Sequence, residues 1–235
     1  MESSEVNFIT KLEDPYFLLK GCKIYWTKYF SNVELIPYRI WSGFLKGEDR
    51  RPDKHLLLGL VKVMLLEWNW PYFKTRTNLV NELPQQLEKA YNESVKYLHV
   101  LEGIYLGSKY LFKYLDIIGE VYEIWREKPA IRDVGASKAL HFIHPELFVP
   151  WDNRIAEYYH KETKHGKHDL KSKECYMIFM EKCNGIAQRL LENASRLCID
   201  ILRMHPIYIA RRELPTIPKM IDECNFCWIS KEERW

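Results

Sequence analysis

Asp152, Lys138, Ser137, His141 and His144 are the side chains whose types and spacing suggest chemistry. Asp152 lies in Phe148-Val149-Pro150-Trp151-Asp152-Asn153-Arg154-Ile155, directly before a helical pattern. A carboxylate there either stabilises a positive charge developing on a substrate or accepts bonds from the free N–H groups at the helix start. Lys138 carries an amine, which serves as a nucleophile towards a carbonyl when desolvated and otherwise as a solvated or phosphate-facing cation. Ser137, His141 and His144 share one helical stripe. The two histidines suit either metal ligation or simple polar satisfaction near a helix C-terminus, where a cation is favoured. Cys224-Asn225-Phe226-Cys227 has the spacing of a redox pair or of half a zinc site, with His165 and His168 as the other half. The long intervening chain and the unusual ligand order argue against zinc, so no metal is expected.

These residues need elements to hold them. Apolar residues recur at helical spacing nearly everywhere and alternating patterns are rare, which predicts an all-α fold. Helices are expected over about 7–30, interrupted near Gly21, then 53–68, 84–98, 108–126, a short one after Asp152 to about His160, and 174–204. The run from His55 to Leu66 is apolar on nearly every side and reads as the central buried helix. Pro71 is expected to end it, and Pro206, Pro215 and Pro218 to leave an irregular tail. In Ile131-Arg132-Asp133-Val134-Gly135-Ala136-Ser137-Lys138-Ala139-Leu140 a short helix ends, the chain turns through Val134-Gly135, and a second helix begins. Ala136, Leu140, Ile143 and Leu147 then form one core-facing stripe. The chain reads as one helical domain over 1–235, with a second lobe at about 107–160 as an alternative division.

Gly135-x-x-x-Ala139, an apolar helix, and Val149-Pro150-x-Asp152-x-x-Ile155 together resemble the signature of the helix-hairpin-helix-GPD (endonuclease III) superfamily. The close match covers residues 131–156. The resemblance implies a two-lobed helical fold that binds double-stranded DNA. Val134, Gly135, Ser137 and Lys138 would hold a phosphate through the hairpin, with a monovalent cation beside it. Asp152 would be the catalytic acid of a monofunctional DNA glycosylase. Trp68, Asn69, Trp70, Trp151 and His141 would line the pocket for an unstacked base, since such enzymes take the base out of the helix. A catalytically silent nucleic-acid-binding protein and a helical protein-interaction module are the alternatives.

Four departures bear on the chemistry. Asp133 stands where the hairpin's first glycine belongs. Ser137 holds the position of the catalytic lysine of bifunctional members, as in the adenine-glycosylase branch, and Lys138 lies one residue later, about 100° around the helix. The span from Ser137 to Asp152 is also shorter than usual by about one helical turn. Four suitably spaced cysteines are lacking, so no iron–sulfur cluster is expected.

Composition sets the outer limits. With 47% hydrophobic and 14% aromatic residues, core material is plentiful and global disorder is excluded. Ten glycines in 235 residues argue against a barrel or a Gly-rich nucleotide fold. The net charge of +3 permits nucleic-acid binding without requiring it, because distribution matters more than total. Residues 160–174 carry five Lys and three His against three acids and read as a basic surface loop. Met1-Glu2-Ser3-Ser4-Glu5 lacks the features of a secretory leader, and no apolar run reaches the roughly 20 residues of a membrane span. A cytoplasmic or nuclear protein with reduced thiols is therefore expected.

Overall fold

The computed structural model describes residues 8–30, 53–68, 70–163, 172–211 and 215–232. Among them there is no strand; the fold is all-α. The helices are α1 (Phe8–Lys11), α2 (Pro15–Lys28), α3 (Lys54–Trp68), α4 (Trp70–Phe73), α5 (Thr77–Val100), α6 (Leu115–Arg126), α7 (Arg132–Ile143), α8 (Asn153–Thr163), α9 (Lys173–Arg196), α10 (Ile201–Met204), α11 (Pro206–Arg211) and α12 (Ile217–Asn225). A 3-10 turn, Leu111–Tyr114, precedes α6, and a π-helical turn, Phe226–Ser230, follows α12.

Local chemistry starts and stops these helices. Asp14 accepts from the Tyr16 N–H at 2.9 Å with Pro15 as the first residue of α2, Asp53 accepts from His55 and Leu56, and Ser172 accepts from Cys175. Each satisfies an N–H that the helix itself cannot pair. The C-terminal end of α9 comes where Cys198 turns left-handed at φ 54°, which ends helical progression.

The core is organised around α6, not around the helix that begins near His55. α6 packs against α5, α7 and α9, and its Ile118, Gly119, Val121, Tyr122 and Trp125 are buried. α3 lies on α5 and α7. Only Leu58, Val61, Met64 and Leu65 of α3 are buried, while Leu56 and Val63 face outward. Its all-round apolar composition thus reflects an unfilled outer face rather than a central position. α2 packs against α12 and the π-helical turn. Buried side chains from α1 through the π-helical turn form one continuous hydrophobic cluster.

Several boundaries differ from expectation for identifiable reasons. The first helical region breaks at 12–14, where Asp14 and Pro15 restart it, and runs through Gly21. α5 starts at Thr77 and carries Pro84 inside it; the lost helical donor is a cost, and the burial of Leu83, Leu87 and Ala90 on the same helix offsets it. α9 stops at Arg196, well short of Met204. The proline-marked tail is largely helical: Thr216 caps α12 through the Lys219 N–H, and Pro218 falls in its first turn. Prolines there start helices rather than exclude them. The centre of the basic stretch 160–174 lies outside the described residues; its ends belong to α8 and α9. No helix among the described residues is long and apolar enough to cross a membrane.

Candidate functional site: a cationic and aromatic corner

α6 and α7 are joined by the five residues 127–131. The chain turns at Glu127–Ile131, and Val134 and Gly135 sit in the first turn of α7. This corrects the expected turn through Val134-Gly135. Arg132 instead takes the left-handed conformation, φ 56°, which is uncommon for a non-glycine residue and persists only where the surroundings fix it. They do so here. Ile131 and Arg132 both donate to the Lys128 carbonyl at 2.9 Å. The Ala130 N–H donates to Gln86 Oε1 at 2.8 Å, and the Tyr72 hydroxyl to the Pro129 carbonyl at 2.8 Å. Lys128 pairs with Glu93, and Arg126 with Glu123 and Asp133. Ile131 gives α7 no side-chain cap, so backbone N–H groups of its first turn are left for other acceptors.

The segment from Trp68 to Arg76 lies beside this corner. The guanidinium of Arg132 stands 6.0 Å and that of Arg76 4.6 Å from the centre of the Tyr72 ring. One turn and a half into α7, the Lys138 ammonium is 5.4 Å from Trp68. The same indole meets Phe142 at 5.5 Å and the Lys219 ammonium at 5.4 Å. Arg76 and Arg132 are exposed, and Tyr72, Trp68 and Lys138 half-buried. Cations over ring faces hold each other by electrostatic attraction. Behind Trp68, buried Lys219 pairs with Asp222 at 2.8 Å and also lies over Tyr25. Burial pushes the Asp222 carboxyl up, and Lys219 opposes that shift.

The expected site residues separate. Lys138 and Trp68 meet at this corner. Asn69 lies outside the described residues. Trp70 begins α4, and its side chain is likewise not described. Trp151 is buried, its ring between Tyr176 at 5.0 Å and Phe179 at 5.2 Å with Tyr122 edge-on, and it lines a small cavity with Ala156, Tyr159 and His160 whose lining does not include Trp68. Ser137 is fully buried, its hydroxyl donating to the Val134 carbonyl and accepting from the Trp151 N–H. It fastens α7 to the 149–152 loop and offers nothing to a phosphate. His141 is fully buried, with Nδ1–H donating to the Phe148 carbonyl at 2.7 Å. Burial, aided by Lys219, depresses its pKa to about 3, so the ring is neutral and structural.

Asp152 is half-buried at the start of α8. Oδ1 accepts from the Ile155 N–H at 2.9 Å, and Oδ2 accepts from the Ser230 hydroxyl. Arg154 donates to the Ser230 carbonyl at 2.8 Å. Both carboxylate oxygens are therefore engaged, Oδ1 in capping α8 and Oδ2 in tying its start to the π-helical turn.

A second polar cluster went unread in the sequence. Cys22, His205 and Glu223 converge from three distant segments, fully buried, with potential metal-ligand atoms within 4.8 Å of one another. His205 Nδ1 accepts from the Ile207 N–H at 3.1 Å, so Nε2 carries the proton and donates to Glu223 at 2.8 Å. A metal at Nε2 would require the opposite tautomer and would set two N–H groups against each other. The cluster fits a hydrogen-bonded core network better than an ion. Cys22 is held protonated by burial, reinforced by Glu223. Cys224 and Cys227 are buried against α2 around Gly21; His165 and His168, the other half of the expected zinc set, lie outside the described residues.

Sequence reasoning missed Arg132, Tyr72, Arg76, Lys219 and Asp222. Lys219-x-x-Asp222 has ion-pair spacing for a helix, a signal hidden by reading the tail as irregular. Comparison of the chain with protein-family models, with curated proteins and with solved structures found no match.

Proposed function

We propose that the protein binds double-stranded DNA through the phosphate backbone at the α6–α7 corner, in the manner of a helix-hairpin-helix protein. The observation that carries this reading is the convergence of Arg132 and Arg76 on Tyr72, beside the uncapped first turn of α7. Backbone N–H groups at a helix start together with exposed guanidinium groups suit phosphate oxygens. Contacts of this kind position a duplex without reading its sequence. A monovalent cation at the turn remains part of the proposal, since main-chain carbonyls of 127–131 lie there.

Base excision by Asp152 is the second reading. It is favoured by the half-exposed position of this acid at a helix start, and it must contend with the engagement of both oxygens. The two are separated by fluorescence anisotropy on a labelled duplex and by a base-release assay on duplexes carrying damaged or mismatched bases. Arg132→Ala should weaken duplex binding severalfold, and binding unchanged in that variant would refute the corner. Asp152→Asn should leave binding intact. Base release by the native chain that disappears in Asp152→Asn would establish excision; its absence in both leaves backbone binding as the function.

A further inference from the structure

The segment between Glu102 and Asp116 contains no acidic residue and reads Gly103-Ile104-Tyr105-Leu106-Gly107-Ser108-Lys109-Tyr110-Leu111-Phe112-Lys113-Tyr114-Leu115. Three of its rings are turned to solvent: Tyr105 is 53% exposed, Tyr110 50% and Phe112 61%. Its lysines interleave with them. The Lys109 ammonium is 4.9 Å and the Lys113 ammonium 5.5 Å from the centre of the Tyr110 ring, and Lys113 is also 5.9 Å from Phe112. One ammonium thus touches two rings, which places both on a single patch.

The patch is rigidly mounted. Leu106 and Leu111 are buried and anchor it. Gly107 adopts φ 96°, and its N–H donates to Asn184 Oδ1 at 2.7 Å. Asn184 and Gln188 of α9 both donate to the Ser108 carbonyl at 3.2 Å, and the Leu106 N–H donates to the Glu146 carbonyl at 2.9 Å. Contiguous exposed rings, unlike scattered ones, mark interaction sites, and here the surface displaying them is fixed before any partner arrives.

We infer that this patch binds unpaired nucleotides, with bases stacking on Tyr110 and Phe112 and phosphates drawn to Lys109 and Lys113. Alternation of ring faces and ammonium groups matches the alternation of base and phosphate along a single strand, and stacking tolerates any base because each has a π-face. A double helix hides those faces, so the patch and the α6–α7 corner select different forms of nucleic acid. This inference stands apart from the duplex-binding proposal.

The test is fluorescence anisotropy of the full chain with a fluorescein-labelled oligothymidylate, alongside a duplex of equal length and a polyphosphate competitor that lacks bases. Tyr110→Ala combined with Phe112→Ala should weaken the single-strand complex at least about fivefold, as the loss of one or more stacked bases predicts. Circular dichroism should show an intact fold, since both rings lie outside the core. Tyr110→Phe with Phe112→Tyr should bind like the native chain, because stacking needs the ring rather than the hydroxyl. Lys109→Ala with Lys113→Ala should weaken the complex and flatten its salt dependence. The loss in the ring variant should appear with the oligothymidylate and not with the duplex, which keeps this result distinct from failure of the duplex proposal. The inference is overturned if the folded ring-less variant binds the oligonucleotide as the native chain does. It is also overturned if the native chain does not bind it, or if polyphosphate competes as well as the oligonucleotide.

Discussion

At the scale of single residues, buried polar groups act as fasteners. His141 is the clearest case. Its folded pKa lies near 3 against an ordinary value of 6.5, so the unfolded chain takes up this proton first as pH falls. The contribution of the neutral ring is fully present above pH 6.5 and is lost progressively as the pH drops towards 3. The loss amounts to about 1.4 kcal/mol per pH unit across that window. Chemical denaturation at pH 7 and pH 4.5 should show a smaller decline in His141→Asn than in the native chain, with a lower starting stability because the bond to the Phe148 carbonyl is impaired. Equal declines would show that His141 does not contribute. Arg132 illustrates the opposite case, a residue whose side chain and backbone have conflicting demands. Arg132→Gly relieves a left-handed conformation and should raise stability by roughly 0.5–1 kcal/mol in a denaturant melt, while weakening duplex binding. Asp152→Asn keeps an acceptor for the Ile155 N–H and should cost less than about 1 kcal/mol.

At the scale of elements, α2 and α12 approach each other closely at Gly21. A Cβ built on Gly21 would lie 2.5 Å from Cys224 Sγ and 3.2 Å from the Cys224 Cα. Because backbone as well as side chain is in the way, Gly21→Ala must push the helices apart and should cost roughly 1–3 kcal/mol by thermal or denaturant unfolding. Gly59, with nothing within 4 Å of its added Cβ, is the control: Gly59→Ala should stabilise by about 0.5–1 kcal/mol through helix propensity. The helical class of the chain was legible because a 3.6-residue period survives wherever one face is buried, as in α6 and α9. The rank of the helices was not. α3 is richer in leucine than α6, yet α6 is central, because hydrophobicity reports what a helix can bury and not how many neighbours surround it. The tail was misread for a related reason: Pro215 and Pro218 register as breakers in sequence, while the capping Thr216 that turns Pro218 into a helix starter is a weak local signal.

At the scale of the whole molecule, the candidate site was legible only in part. Lys138 and Trp68 could be singled out by type, but Tyr72, Arg76 and Arg132 gain meaning only from proximity, since residues 72 and 132 are brought together by the bond from the Tyr72 hydroxyl to the Pro129 carbonyl. Trp151, Ser137 and His141 looked functional because polar and aromatic side chains beside a motif are equally suited to a core. The net charge of +3 neither requires nor excludes DNA binding, so the proposed affinity would have to come from where the cations sit. Among the described cations of the corner, Lys128 and Arg126 pair with Glu93, Glu123 and Asp133, and Arg76 and Arg132 are the exposed guanidinium groups that the proposed complex would offer to phosphates. If these two meet one phosphate each, the logarithm of the duplex binding constant should fall against the logarithm of salt concentration with a slope of about −1.8. Replacing Arg132 with alanine should flatten the slope by about 0.9. Neutralising Lys96, an exposed lysine of α5 that lies over Tyr97, should leave it unchanged. A slope that responds equally to both substitutions would mean that the molecule attracts DNA diffusely and that the corner has no special standing.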